Sequence, residues 1–317
     1  MQPAITDLYY RADLSATGTN DSRCFIDTAR SLSKINRRLY EQGRLYGFRG
    51  LTFIWRAAGT LATIEVSVRT AGNTWITQNA FVKGKALWHE MQELVLDDNP
   101  SIAGKWHDYK IQLYAGQNDT RTLNVKDSNG DDILPGEWLL SEYVMPQHSV
   151  DGAGNPLIAL KRTALLIGDD STSGSRVSLT KAYQESRATV QPVDPNVPVG
   201  MSTSFFNLLT DSGSQEPELA DVIEDENDQP PYDTLAYPGG PLNGSRPVLV
   251  QYGAISSSEV DGHIGGFIAP CGLIEIDIKG YDVNGDEVSR AAMPIVDLVL
   301  HVAPGSYKGV AAIPMGQ

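Results

Sequence analysis

Residues 60–70, TLATIEVSVRT, place Leu61, Ile64, Val66 and Val68 among polar neighbours. Such alternation suits a β-strand with one face buried. Similar short runs occupy 48–55, 108–115, 137–145, 157–167, 175–183, 247–255, 272–279, 294–302 and 309–313, each bounded by Gly, Pro, Asn or Asp. About ten strand candidates with few helices and no strand–helix alternation favour an antiparallel sandwich over a parallel α/β sheet.

Two segments read as helices inserted between strands. The first covers about 28–43, with Thr28 as N-cap and Gly43 where a left-handed residue ends a helix. On it Leu32, Ile35 and Leu39 share one side, while Arg30, Lys34, Arg37, Arg38 and Arg44 lie opposite. The second covers about 78–96, interrupted by Gly84.

The chain has 317 residues, a length compatible with about two domains or one large β domain. Its net charge of −14 excludes coating of nucleic acid by bulk charge. That charge is uneven. Residues 1–60 carry nine Lys and Arg against five acids, a local +4, which leaves −18 for the remainder. A basic strip in an acidic protein, with Tyr40 and Tyr46 interleaved, suits phosphates and stacked bases of single-stranded nucleic acid. The competing reading is a solvated helix face.

Residues 188–245 hold no Lys or Arg and are rich in Pro, Gly, Ser and acid. Phe205, Phe206, Leu208 and Leu209 within them suggest an anchored surface excursion. Cys24 and Cys271 are expected as buried free thiols. The opening residues lack the basic and apolar stretches of a secretory leader, and no apolar run is long enough to cross a membrane.

Motifs for enzymatic chemistry are missing: there is no G-x-S-x-G elbow, phosphate-binding loop or dinucleotide fingerprint. His89, His107, His148, His263 and His301 fall on different expected elements. A glycosidase carboxylate pair has no sequence spacing by which to find it. Residues 127–131 and 282–286 both read D-x-N-G-D. Calcium is the functional reading of such loops, but Asp132 and Glu287 take the position of the required glycine. An Asn-Gly hairpin turn, with both central residues at positive φ, is the simpler expectation, so no cofactor is assigned.

The string Ser31-Leu32-Ser33-Lys34-Ile35-Asn36-Arg37-Arg38-Leu39-Tyr40, followed by Gln42-Gly43 and Tyr46, resembles capsid proteins of environmental, largely aquatic, circular Rep-encoding single-stranded DNA viruses. Blocks similar to that family follow in order. They include Asn73-Thr74-Trp75, Asp108-Tyr109-Lys110, Gly136-Glu137-Trp138, Tyr237-Pro238-Gly239-Gly240, Pro270-Cys271-Gly272-Leu273-Ile274 and Val302-Ala303-Pro304-Gly305. The resemblance runs from about Thr28 to Met315.

It implies a mainly β jelly-roll sandwich with two inserted helices and long loops. Residues 1–27 would form an N-terminal segment and 28–317 a single elaborated domain. It further implies a non-enzymatic virion subunit partnered by itself, in a closed shell of roughly 60 or more copies. Single-stranded DNA would lie on the inner face against Arg30, Lys34, Arg37, Arg38 and Arg44. No membrane partner is implied, and a host receptor is not specified. The family's basic N-terminal arm is not matched, since residues 1–22 hold one basic residue, Arg11, against Asp7, Asp13 and Asp21. The alternative is a β-sandwich binding module, an adhesin or carbohydrate-binding tail component.

Overall fold

A computed structural model of the chain describes residues 3–14, 22–55, 61–98, 100–101, 108–134, 136–144, 161–171, 173–187, 205–206, 247–289 and 293–316. The elements in order are β1 (Asp7–Ala12), β2 (Arg23–Asp27), α1 (Thr28–Asn36), β3 (Arg44–Trp55), β4 (Leu61–Thr70) and α2 (Trp75–Asp98). Next come β5 (Glu142–Val144), β6 (Lys161–Leu165), β7 (Arg176–Ser178), α3 (Leu179–Ser186), β8 (Val248–Ser256), β9 (Asp261–Ile264) and β10 (Phe267–Pro270). The chain continues through β11 (Leu273–Asp282), β12 (Val296–Val302), β13 (Pro304–Gly305), β14 (Gly309–Val310) and β15 (Ala312–Pro314). They cluster into two compact units where the sequence suggested a single domain over 28–317. The first holds residues 1–73, 116–138 and 247–314, and the second holds 74–115, 139–246 and 315–317.

The first unit is a sandwich of two antiparallel sheets. One runs β1-β12-β3-β10, with β9 and β15 also paired to β3; the other runs β2-β11-β4-β8. The chain crosses between the sheets from β1 to β2, β2 to β3, β3 to β4, β8 to β9, β10 to β11 and β11 to β12, while β4 and β8 share one sheet and β9 and β10 the other. That order is the double Greek key of a jelly roll. The core follows from the period of two. Leu8, Tyr10 and Ala12 of β1, Leu51, Phe53 and Trp55 of β3, and Leu298 and Leu300 of β12 are buried together with Cys24 and Ile26 of β2, Ile64, Val66 and Val68 of β4, and Ile274, Ile276 and Ile278 of β11. Both cysteines are buried and free.

The strands β1 and β2 lie in the stretch 1–27 expected as an N-terminal segment, and they join the two sheets of the first unit. Both end a sheet order, and residues 116–138 run beside them. Phe25 N donates to Arg121 O (2.9 Å), Leu123 N to Phe25 O (2.8 Å) and Lys126 N to Tyr9 O (2.8 Å). Backbone pairing of this kind satisfies groups that an open edge would leave bare.

One glycine is decisive here. Gly50 has φ +156° at the irregularity where β12 shifts register against β3, and a Cβ there would overlap the carbonyl oxygen of Ile264. The strand bends at that point because no side chain intervenes.

The second unit carries α2, α3 and the sheet β5-β6-β7. Helix α3 makes three helices among the described residues where two were expected. Residues 175–183 alternate like a strand, yet only Arg176–Ser178 is one; the Ser178 hydroxyl then accepts from Lys181 N and caps the helix. Residues 108–115 form no strand, only a bridge between Gln112 and Leu165. Helix α2 tolerates Gly84 for a packing reason. A Cβ there would press on Leu179 Cδ2, and the Tyr143 hydroxyl donates to the Gly84 carbonyl (2.6 Å). The excursion 188–245 lies outside the described residues except for Phe205 and Phe206, both buried, with the Phe205 ring 5.0 Å from that of Tyr143. Among the described residues no helix is long and apolar enough to cross a membrane.

Candidate functional site

The basic segment folds differently from the amphipathic helix expected of it. Helix α1 spans Thr28–Asn36, capped by Asp27, whose carboxylate accepts from Arg30 N (3.0 Å). It stops seven residues short of the expected end at about 43, because local side chains offer the backbone other partners. The Ser33 hydroxyl donates to Ala29 O (2.7 Å) and accepts from Tyr40 N (2.9 Å). The Asn36 amide bonds both backbone groups of Ile5, accepting from its N (2.7 Å) and donating to its O (3.1 Å). Arg37 follows in the left-handed region at φ 51°, ψ 39°, taking the role predicted for Gly43. Leu39, past the helix end, is exposed rather than packed with Leu32.

The five predicted contact residues are consequently dispersed. Arg30 is buried at 7% exposure, and its guanidinium donates to Leu123 O (3.1 Å). Lys34 is partly buried; Nζ donates to Asn124 Oδ1 (3.0 Å) and Ile133 O (2.9 Å). Burial, assisted by the nearby Arg30 charge, pulls its ammonium down to about 8. Arg44 lies 3.6 Å over the Tyr307 ring and pairs with Glu41 at 3.7 Å. Arg38 sits beside the Tyr40 hydroxyl. Arg37 is exposed and has no hydrogen bond or ion pair among the described residues. Tyr40 and Tyr46, expected to stack on bases, are fully buried. Their hydroxyls donate to Lys308 O (2.9 Å) and Glu41 O (2.6 Å). They hold the turn after α1 instead.

Lys34 and Arg37 do meet in one place. An open groove of about 730 Å³ runs between the start of β1, the solvent face of β12, the end of α1 and the loop after Lys126. Tyr9, Ile54 and Val299 supply apolar surface from three strands, and Arg11, Lys126 and Asp297 add charge. Tyr9 and Arg11 escaped the sequence reading although the alternation of DLYYRA, with Tyr9 and Arg11 exposed against buried Leu8 and Tyr10, was the available signal.

A second arrangement crosses the same sheet. Asp7 Oδ1 accepts from Arg49 (3.2 Å) and lies 2.9 Å from His301 Nδ1; His301 Nε2 lies 2.9 Å from Thr52 Oγ1, and Thr52 lies 3.2 Å from His263 Nδ1. The structure thus joins two histidines that sequence placed apart. Carboxylate, imidazole and hydroxyl in this order have the spacing of a nucleophilic triad. However, Thr52 sits mid-strand, paired with Val299 on one side and His263 on the other. Its neighbouring backbone N–H groups serve the ladder, which leaves no oxyanion donors there. The row is a surface hydrogen-bond chain.

The D-x-N-G-D loops are alike in detail and are hairpin turns, closed by the antiparallel bridges Lys126↔Asp132 and Tyr281↔Glu287, but not of the type with both central residues at positive φ. Positive φ occurs at Gly130 and Gly285 but at neither Asn. Asp127 Oδ1 accepts from Asn129 N (2.8 Å) and Asp131 N (2.9 Å); Asp282 Oδ1 accepts from Asn284 N (2.8 Å) and Asp286 N (3.0 Å). These backbone donors, led by Asp286 N, hold the Asp282 carboxyl below its ordinary range. Among the described residues no group of three or more His, Cys, Asp or Glu is arranged to hold a metal ion.

Comparison with family models, with curated proteins and with solved structures gives no match to this chain.

Proposed function

We propose that the chain is a coat subunit of a small circular single-stranded DNA virus, a non-enzymatic protein of the virion whose main partner is itself. The observation that carries this reading is the strand order, β1-β12-β3-β10 against β2-β11-β4-β8. The sequence blocks imply that jelly roll, and several of them hold it together. Pro270-Cys271-Gly272 makes the turn between β10 and β11, with consecutive positive φ at Cys271 (59°) and Gly272 (66°). Trp138 reaches back to Asp27 at the cap of α1.

Jelly rolls serve shells and sugar-binding proteins alike, so strand order alone does not choose between them. Exposed apolar side chains favour assembly. Strand β8 ends its sheet order and exposes Val248, Leu249 and Tyr252, while Ile268 and Ile313 are exposed on strands paired with β3. Burial of such residues between symmetry-related copies would drive closure. Negative-stain microscopy of the purified protein tests the proposal, and closed particles are expected. A strictly monomeric species across salt and pH would overturn it and favour a sugar-binding module.

A further inference from the structure

The groove beside β1 has a polarity that the rest of its surroundings lack. Two of its four cations are neutralised in place: Arg11 pairs with Asp297 at 2.8 Å and Lys126 with Asp132 at 2.8 Å. Asp7 is engaged by Arg49 and His301, and Asp127 gives Oδ1 to two backbone donors. The remaining cations are Lys34, bonded through Nζ to neutral oxygens only, and Arg37, which has no partner among the described residues. An ammonium with two acceptors keeps one proton to donate, and a guanidinium offers five. Two cations at one end without a carboxylate in contact can therefore receive an anion.

The rest of the groove is apolar. Tyr9 is 53% exposed and Ile54 is 37% exposed on the same face, with Val299 between their strands. Ile35 and Ile133 line the side near α1. A half-exposed tyrosine on a flat sheet offers a ring face on which a planar group can stack. The volume, about 730 Å³, falls within the range of small-molecule sites.

Arg37 adds a separate argument. It occupies a left-handed position where glycine is the unstrained choice, and a residue held there at a cost is a pointer to function. We infer that this groove binds one nucleotide unit, its base against Tyr9 and its phosphate on Arg37 and Lys34. The inference rests on the coat-protein reading for its source of nucleotide, a single DNA strand. A free nucleotide presents the same chemistry.

Substituting Arg37→Gly tests it without endangering the fold, because glycine relieves the left-handed backbone while removing the guanidinium. The full-length protein is titrated with a fluorescent oligothymidylate and, separately, with thymidine monophosphate. Wild type is expected to bind the oligomer, and Arg37→Gly to weaken it about tenfold with a shallower salt dependence and an unchanged or raised Tm. Tyr9→Ser is expected to weaken binding with the salt dependence preserved. Measurable affinity for the monophosphate alone supports the groove with a free nucleotide as its source; affinity confined to the oligomer supports it with the strand. Equal oligomer affinity in wild type and Arg37→Gly overturns the inference, as does a particle map with a segment of a neighbouring copy lying in the groove. Particle formation is scored in parallel. Shells whose DNA affinity ignores Arg37 sink the groove and spare the coat reading. A monomer whose nucleotide affinity depends on Arg37 does the reverse.

Discussion

The indole nitrogen of Trp138 donates to Asp27 Oδ2 at 2.9 Å, joining residues 111 positions apart. The same carboxylate oxygen accepts from Gln42 Nε2 (2.9 Å), while Oδ1 caps α1. Asp27 is buried at 4% exposure, and burial pushes its carboxyl up despite Arg30 and three hydrogen-bond donors. One side chain thus ties the end of β2, the start of α1, the turn before β3 and the segment 116–138.

Trp138→Phe keeps the ring and removes one bond, so it is expected to cost about 1–3 kcal/mol. Asp27→Ala strands three donors and removes the cap, and its loss is expected to exceed that of the tryptophan change by at least about 1 kcal/mol. Urea unfolding of both variants measures this. A smaller loss for Asp27→Ala would show that the carboxylate is not the hub.

Lys34 predicts a pH effect. Its folded value is about 8, while an unfolded lysine titrates near about 10.4. Between those values the unfolded chain binds more protons than the folded one. Stability from this group therefore rises with pH across that window. Wild type is expected to gain Tm relative to Lys34→Met between about pH 7 and pH 10. A constant difference between the two proteins would contradict the placement of Lys34.

Glycines separate strain from space. Gly50→Ala meets both a glycine-only backbone and the Ile264 carbonyl, and is expected to destabilise by roughly 2–4 kcal/mol. Gly285→Ala, at φ +86° with no atom within 4 Å, is expected to cost about 1 kcal/mol. Thermal unfolding ranks them, and equal losses would mean that the β3 bend has room for a methyl group.

Calcium is expected to leave the protein unchanged. Both D-x-N-G-D loops lack the glycine of a calcium loop, and Oδ1 of the first carboxylate in each is already taken by two backbone N–H groups. Tm measured with a chelator and with a few millimolar calcium should coincide. A rise with calcium would assign the loops a metal role.

The legible part of this fold was its alternation. The strands β3, β4, β11 and β12 show their period of two plainly in sequence, even in β11, where both faces are buried. Strand β2 was hidden because its neighbours on both sides bury it: RCFID has four buried residues in a row and no alternation to see. Helix α3 was hidden by a β-like pattern that Ser178 overrides at its cap. The basic segment was found, but its conformation was misread. Residues spaced for one helix face leave that face when the helix ends at Asn36, and the aromatic residues beside them became core. The groove was invisible for a different reason. Its parts, Tyr9, Lys34, Ile54 and Val299, are assembled by pairings across nearly the whole chain, which no local spacing encodes.

The register Tyr9↔Val299 has a consequence for biogenesis. Strand β1 is synthesised first among the sheet strands, yet its ladder partner β12 is among the last to leave the ribosome. Until then its polar backbone edge and the apolar side of Leu8 and Tyr10 must wait unpaired. Closure is then a late, long-range event of the slow kind. The groove built on those two strands cannot exist until β12 has been synthesised. An early-made strand therefore waits on a late-made one for the surface that both line.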